Sequence, residues 1–363
     1  MLLGVIYAVL GPALPRLSER FGLSATGAAL LLSLNSGGAL LGVLAAGALS
    51  TRFAAVRRSM IALVLIAAGC LGLGVAPTLM LALLAAGLLG LGFGMLDLSL
   101  NVWLATGYGD RSAAMLNLLS AGFGVGAVLA PLAVGGAGGD YRPLLLGCAV
   151  FAAMLSLALL MLPAAPDALK GVPLPPPRVR LEAGRARLVL GGFILLFLGY
   201  VAVESGVGAW EVTHLKDTLG LATGEATRIS ALFWVSFALG RLLAVPLALR
   251  LPPAQLVTGA LMLAAASLAL AAIPAAAPAA YTLAGLFLAP VFTTALVWLG
   301  RELPGGAAPT FVFAGAFLGP VIFSPVVGLM RDTFGPAAIP LTLLAIALLD
   351  IATVLALRRL LRA

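Results

Sequence analysis

Long apolar segments follow one another along the chain, and one of them, Leu79 to Ala105, contains a single ionisable residue, Asp97. About 20 consecutive apolar residues are enough for a helix to cross the hydrocarbon core of a bilayer. Of the 363 residues, 62% are hydrophobic and 9% are charged, whereas soluble domains carry about 25% charged residues. The sequence therefore predicts an all-α membrane protein that crosses the bilayer many times.

Charges, prolines and glycines divide the chain into twelve predicted spans. Residues 163–187 differ from the rest, because they contain Pro-Leu-Pro-Pro-Pro and several basic residues, a composition typical of an extended, solvated linker. We therefore expect an N-terminal six-helix half at 1–162, a cytoplasmic linker at 163–187 and a C-terminal six-helix half at 188–363. The predicted spans are 2–18, 26–49, 59–76, 79–106, 112–136, 143–162, 188–213, 226–249, 255–273, 278–300, 307–330 and 337–357.

The basic residues indicate the orientation. If both termini are cytoplasmic, fourteen of the 21 Lys and Arg residues lie on the cytoplasmic side, six lie on the other side, and Arg241 lies inside a span. The positive-inside rule then favours cytoplasmic termini, and we expect a multi-pass protein of the cell's inner (plasma) membrane. Because the basic residues are scattered among loops, the net charge of +8 does not indicate a nucleic-acid partner.

The two predicted halves repeat each other at an offset of 198 residues. Phe21-Gly22-Leu23 before the second span corresponds to Leu219-Gly220-Leu221 before the eighth, and Gly42 corresponds to Gly240. Two pseudo-symmetric six-helix halves joined by a linker are the plan of the major facilitator transporters. The chain resembles that superfamily over essentially its whole length.

Two motifs bear on the resemblance. The family often has Gly-x-x-x-Asp-Arg-x-Gly-Arg-Arg between its second and third spans. Here Gly47 and Arg52 match, Thr51 replaces the acid, and the Arg57-Arg58 pair is displaced by two residues. The charge-relay role of the acid is therefore not carried over. The fifth span has Gly122-Phe123-Gly124-Val125-Gly126 followed by a proline, which is similar to the family's Gly- and Pro-rich fifth helix.

Within the superfamily, the chain is most similar to the fucose permease-like branch of sugar/proton symporters. The resemblance lies in the fourth span, the seventh span and the eighth span. The matching residues are Gly92, Gly94, Leu96, Asp97 and Asn101 in the fourth, Tyr200, Glu204 and Trp210 in the seventh, and Phe233-Trp234 with Gly240-Arg241 in the eighth. One departure is that no acid occurs between Met1 and Arg16, where the branch's fucose transporter has one.

The helical spacing predicts how these residues are grouped. Gly90, Gly94, Asp97 and Asn101 share one face of the fourth span, since positions i, i+4, i+7 and i+11 coincide on a helix. The glycines leave room for a close neighbour or a ligand, and Asn101 can donate to a sugar hydroxyl or to Asp97. In the seventh span, Tyr200, Glu204, Val207 and Glu211 share another face.

Asp97 and Glu204 are the predicted proton-coupling residues. In an apolar surrounding, a carboxyl group favours its neutral form, so it can take up a proton on one side and release it on the other. An alternative is that Asp97 is a structural hydrogen-bonding acid or a partner of Arg241. Arg241 and Arg52 are predicted gating or salt-bridge residues, although Arg241 can also be a packing arginine.

The predicted substrate is a sugar or a similar small polar solute. Aromatic rings stack on the apolar faces of sugars, and amides and carboxylates satisfy hydroxyl groups. The predicted substrate-binding residues are Asn35, Asn101, Asn117, Tyr200, Trp210 and Trp234.

We therefore expect a monomeric, proton-coupled sugar importer that works by alternating access. The alternative is a proton-driven drug or metabolite exporter of the same superfamily. An enzyme is not expected, because the sequence has no phosphate loop, nucleophile–base pair or metal-ligand set. We predict no cofactor and no metal, and the partners are the substrate, protons and the lipid bilayer.

Overall fold

The computed structural model describes residues 1–107, 112–161, 183–303 and 308–362. The described chain is helical, with two short 3-10 helices at Leu49–Thr51 and Pro274–Ala276. Eleven helical segments in the described parts are long and apolar enough to cross a membrane. The helices are α1 (Leu2–Phe21), α2 (Ala25–Ala48), α3 (Ala55–Val75), α4 (Leu79–Gly107), α5 (Ser112–Gly136), α6 (Arg142–Leu160), α7 (Ala183–Leu219), α8 (Thr223–Arg250), α9 (Pro253–Ala271), α10 (Ala277–Leu288), α11 (Val291–Glu302), α12 (Ala308–Phe334) and α13 (Ala338–Arg362).

The described structure departs from the prediction at three of the predicted spans. The first, α1, has 20 residues but is not among the eleven segments. The predicted tenth span is interrupted between α10 and α11 at Pro290, a residue that has no N–H group to donate along a helix. The helix α7 is longer than residues 188–213, because it begins at Ala183 and continues to Leu219. Its first turn therefore occupies the end of the expected linker, whose residues 163–182 lie outside the described parts.

The chain divides into two compact units. Unit 1 comprises Met1–Pro173 and Thr223–Thr227, and unit 2 comprises Leu174–Ala222 and Arg228–Ala363. Within unit 1, α2 and α3 both pack extensively on α4, and α6 packs on α3. Within unit 2, α12 and α13 pack on α7, and α9 packs on α10 and α13.

Small residues bring α2 and α4 into backbone contact. A Cβ atom at Gly38 or Gly42 of α2 would overlap the backbone of α4, and one at Gly90 or Gly94 of α4 would overlap the backbone of α2. Helices in a membrane associate through such close van der Waals contacts, since lipid tails are as apolar as the side chains. The spacing of four residues in both helices keeps these glycines on one face.

A second glycine series joins α7 to α13 within unit 2. Gly192, Gly199 and Gly206 recur every seven residues on α7, so they lie on one side of the helix. A side chain at any of them would collide with a side chain of α13, namely Leu357, Asp350 and Leu343 in that order. Close to Leu357, at one end of this contact between α7 and α13, the Arg185 side chain donates a hydrogen bond to the carbonyl of Leu360 at 2.8 Å.

The two glycines at the predicted repeat positions have the same backbone conformation. Gly22 follows α1 with φ of 62°, and Gly220 follows α7 with φ of 66°. Glycine adopts this left-handed region without the steric cost that a Cβ atom imposes. After Gly22, α2 begins at a Ser24 cap whose Oγ accepts from the Gly27 N–H at 3.1 Å.

Candidate functional site

Asp97 and Asn101 form a hydrogen-bonded pair on α4 within unit 1. The Asn101 amide donates to the Asp97 carboxyl Oδ1 and to the Asp97 carbonyl oxygen, both at 3.0 Å. Both side chains are half-buried. The spacing of four residues brings the two side chains together on the helix surface. The pair thus combines a group that can bind a proton with an amide that orients it.

The two glycines that were predicted to share this face of α4 have different surroundings. Gly90 and Gly94 lie against the backbone of α2, so they accommodate a neighbouring helix. Asn35 of α2 takes part in the same contact, because its amide donates to the carbonyl of Ala86 at 3.1 Å. The role of Asn35 in substrate binding stays a prediction. The side chain of Asn117, also predicted to bind substrate, lies outside the described residues.

Tyr7 of α1 is an aromatic residue that the sequence analysis did not single out. It is half-buried, and its ring lies 5.9 Å from the ring of Phe93 and 5.5 Å from that of Phe123, measured between centroids. Phe93 precedes Asp97 by one helical turn on α4. The signal in the sequence is that Tyr7 is the only aromatic residue between Met1 and Leu17.

The predicted residues of α7 lie in the interior. Tyr200, Glu204 and Trp210 are 1%, 6% and 0% exposed. The Tyr200 ring lies 6.1 Å from the ring of Phe292 on α11, which also packs against Phe313 of α12 at 5.6 Å. Phe292 and Phe313 thus join Tyr200 in an aromatic group that the sequence analysis missed, because its members come from three helices.

Trp234 of α8 packs directly on α7. A Cβ atom at Gly208 would lie 2.9 Å from the Trp234 ring, so the glycine makes space for the indole. Trp234 is 3% exposed and also contacts Phe237, with ring centroids 5.9 Å apart. Trp210 and Trp234 are therefore both covered by their surroundings.

The arginines have distinct environments. Arg241 is half-buried, and its guanidinium carbon lies 4.7 Å from the centre of the Phe237 ring, which is the geometry of a cation–π contact. Arg52 is exposed. By contrast, Arg58 of α3 is buried and donates to the carbonyl of Ala46, near the end of α2, at 2.8 Å. The arginine that holds the end of α2 is thus Arg58, which the sequence analysis treated only as part of a displaced pair.

The described residues contain no group of three or more His, Cys, Asp or Glu side chains that could hold a metal ion. Cys70 and Cys148 are buried free thiols. The buried carboxyl groups of the described helices include those of Glu204, Glu211 and Asp350. The described part of the molecule therefore defines a polytopic α-helical membrane protein with buried carboxyl groups.

The sequence matches the profile of the Major Facilitator Superfamily over residues 1–310. The chain belongs to this superfamily and is a transporter, not an enzyme. Among curated protein sequences, none matches the chain significantly.

Several solved transporter structures are similar to the chain. A D-xylose-proton symporter is 18% identical, with a TM-score of 0.74, and the match covers 96% of this chain and 94% of that one. The nucleoside transporter NupG is 15% identical, with a TM-score of 0.74 and coverages of 100% and 98%. A bacterial homologue of the human lysosomal transporter Spinster is 16% identical, with a TM-score of 0.73 and coverages of 99% and 93%. At these identities the likeness establishes a common fold.

Proposed function

We propose that the protein is a secondary active transporter that imports a sugar or a similar small polar solute together with protons. The observation that carries this proposal is the Asp97–Asn101 pair on α4. A carboxyl group in the middle of an apolar span costs about 3 kcal/mol on insertion scales and is usually retained for function. Membership of the superfamily supports solute transport, and the similar D-xylose-proton symporter supports a sugar and a proton as the transported pair.

The proposed architecture has twelve spans in two pseudo-symmetric six-helix halves. In this arrangement α1 is the first span, and α10 with α11 forms the tenth. The proposed mechanism is alternating access, in which the solute site opens to one side of the membrane at a time. We place the protein in the inner (plasma) membrane as a monomer with both termini and the 163–187 linker in the cytoplasm.

The proposed roles follow the chemistry of each side chain. Asp97 and Glu204 carry protons, and Arg241 and Arg52 act at the gates. Hydrogen bonds to hydroxyl groups come from amides, and stacking comes from aromatic rings. The solute-binding residues are Asn35, Asn101, Asn117, Tyr200, Trp210 and Trp234, to which we add Tyr7. We also propose that the chain belongs to the fucose permease-like branch, because of the matching residues in its fourth, seventh and eighth spans.

A nucleoside is a second candidate solute. The similarity to NupG favours it, and a nucleoside presents both sugar hydroxyls and a base that can stack on an aromatic ring. Proton-driven export of a drug or metabolite is the alternative to import.

The test uses the purified full-length protein in proteoliposomes with an imposed inward proton gradient. Radiolabelled pentoses, hexoses, 6-deoxyhexoses and nucleosides are added one at a time. We expect at least one to accumulate and its accumulation to collapse when a protonophore is added. Asp97→Asn should abolish this accumulation while sparing exchange of the same solute across the membrane, since the amide retains hydrogen bonding but cannot cycle a proton.

The matched control is Asp140→Asn, because the Asp140 side chain is 48% exposed in a loop. This variant should accumulate the solute as the wild type does. Normal accumulation by Asp97→Asn would refute the coupling role. If no sugar or nucleoside accumulates and only lipophilic cations bind, the import proposal is wrong and export is favoured.

A further inference from the structure

A second group of ionisable side chains lies toward the C-terminal end of α7. Glu211 and His214 are one helical turn apart and are 1% and 0% exposed. The Nδ1 atom of His214 lies 3.0 Å from the hydroxyl oxygen of Tyr281 on α10, which is also fully buried. The two rings meet edge to face, with centroids 5.6 Å apart. Two helices of unit 2 thus fix the imidazole in one orientation.

The group contains polar atoms with no partner in the described structure. Both carboxyl oxygens of Glu211 and the Nε2 atom of His214 are buried without a hydrogen bond among the described residues. Tyr281 is close enough to Glu211 to interact with its charge. Buried polar side chains are nearly always hydrogen-bonded. Atoms that are left over on two adjacent ionisable groups therefore indicate a ligand that binds between them or on them.

Burial limits what that ligand is. A solute or a hydrated cation occupies more space than a proton does, and Glu211 and His214 are 1% and 0% exposed. A transition-metal ion generally takes three or more protein ligands, and no such group occurs in the described residues. A proton needs no cavity, and a carboxylate and an imidazole are the side chains that bind it most readily near neutral pH.

We infer that Glu211, His214 and Tyr281 form a proton-binding site inside the C-terminal unit. In the tautomer that the site uses, the Nδ1–H of His214 donates to the Tyr281 oxygen, so Nε2 carries a lone pair. A hydronium ion gives a proton to Nε2, which produces the imidazolium ion and leaves a water molecule. The proton then passes to the Glu211 carboxylate, which leaves a neutral imidazole and a neutral carboxylic acid. Charge and proton number are conserved in the second step.

This inference deepens the proposed proton-coupled transport and rests on it for its purpose. Glu204 lies seven residues from Glu211 on the same face of α7, about 10 Å along the helix. Glu204 therefore remains the proposed coupling residue, and the new site stores a proton on its way to or from that residue. A stored proton removes the charge that would otherwise be buried at Glu211.

The connection to solvent lies at the other end of the group. Asp217, one turn beyond His214, interacts with the imidazole by charge and forms an ion pair of 2.6 Å with Arg331 of α12. The Asp217 and Arg331 side chains are 22% and 31% exposed, so the proposed route of protons to His214 begins at this pair. Asp350 of α13 faces Gly199 of α7. The other charged groups on α7 beyond Glu204 and on the helices of unit 2 that pack against it are Lys216 on α7, Arg228, Arg241 and Arg250 on α8, Arg301 and Glu302 on α11, Asp332 on α12, and Arg358, Arg359 and Arg362 on α13.

The test is an infrared pH titration of the full-length protein in lipid, with no solute and no gradient. The carbonyl stretch of a protonated carboxyl group disappears as that group ionises. Glu211→Gln should remove one titrating component of this band. Tyr281→Phe keeps the ring but loses the hydroxyl, and it should move the midpoint of the same component by about one pH unit or more. Glu225→Gln, which changes an exposed glutamate, should leave the component unchanged.

His214→Gln provides a third measurement and is expected to shift the component in the same experiment. If Glu211→Gln does not yield folded protein, the shifts in Tyr281→Phe and His214→Gln decide the matter. An unchanged band in every folded variant overturns the proton-binding site. Because the titration uses no solute, a failed accumulation assay with a normal Glu211 component would refute proton-coupled import and leave the site intact.

Discussion

Replacing Gly90 by alanine tests the close packing of α2 on α4. A Cβ atom at Gly90 would overlap the carbonyl oxygen of Asn35 and lie 2.7 Å from its carbonyl carbon and 3.0 Å from the backbone nitrogen of Ala39. All three neighbours are backbone atoms, so no side chain can rotate away. Either α2 moves as a whole or the overlap remains, and both lower the free energy of unfolding of unit 1.

The magnitude is obtained against a matched variant one turn earlier on the same helix. At Gly87, the nearest atom to an added Cβ is the Leu34 carbonyl oxygen at 3.9 Å, an ordinary contact. Gly→Ala raises helix propensity equally at both positions, by up to about 1 kcal/mol, so this contribution cancels between them. The difference is the overlap alone, which for added methyl groups in packed interiors is about 1–3 kcal/mol. We expect the upper end, because backbone atoms are involved.

Thermal unfolding in detergent measures this difference with a thiol-reactive fluorescent dye. Cys70 and Cys148 are free, buried thiols of unit 1 at 0% and 7% exposure, so the dye reacts as the unit opens. A difference of about 3 kcal/mol corresponds to roughly 6–12 °C in Tm, on the scale of 2–4 °C per kcal/mol for domains of this size. Gly90→Ala should melt lower than Gly87→Ala by this amount. Equal melting temperatures, or the reverse order, would refute the close approach of the two helices.

Two further predictions concern single side chains. The Arg58 prediction uses the same thiol assay, because Arg58 lies in unit 1, whereas the Asp217 prediction follows the fluorescence of Trp210, Trp234 and Trp298, which lie in unit 2. Arg58→Met should lower the free energy of unfolding by about 1.5–3 kcal/mol, because it removes a buried charged donor from the Ala46 carbonyl. Arg52→Met, at an exposed position, should stay within about 0.5 kcal/mol of the wild type. Equal effects of the two substitutions would contradict the conclusion that Arg58 holds the end of α2. Asp217→Asn should lower the free energy of unfolding by no more than about 1 kcal/mol despite the 2.6 Å ion pair with Arg331, since partly exposed pairs contribute little. This loss should become smaller at high salt. A larger loss that does not depend on salt would show that the pair is not screened by solvent.

The helices are the part of the fold that the sequence predicts best. Helix formation in a bilayer is dictated by apolar length, and most predicted spans lie within a few residues of the observed helices. The prediction was least accurate at the end of α7. The predicted seventh span ended at residue 213, but the helix continues to Leu219, and His214 is buried within it. Hydropathy does not report that a polar residue has a partner on another helix, and Tyr281 is that partner.

In the candidate site too, some contacts could be predicted from the sequence and others could not. The Asp97–Asn101 hydrogen bond was predictable, because both residues belong to one helix and their spacing fixes the geometry. The surroundings of Gly90, Tyr7 and Phe292 were not predictable, because they depend on which helices pack together and in what register. Residue type and spacing within a helix are local information, whereas contacts between helices require the tertiary structure.

The glycine series of α7 determines how α7 and α13 can move. If α13 slid along α7 by one turn, its side chains would meet Leu196, Val203 and Trp210 in place of the three glycines, and all three of these side chains are fully buried. Sliding is therefore blocked, and the first and last helices of unit 2 must be displaced together. A fluorescent label attached after Arg362 would then report the motion of α7, the helix that carries Glu204, without any modification near the proposed proton sites.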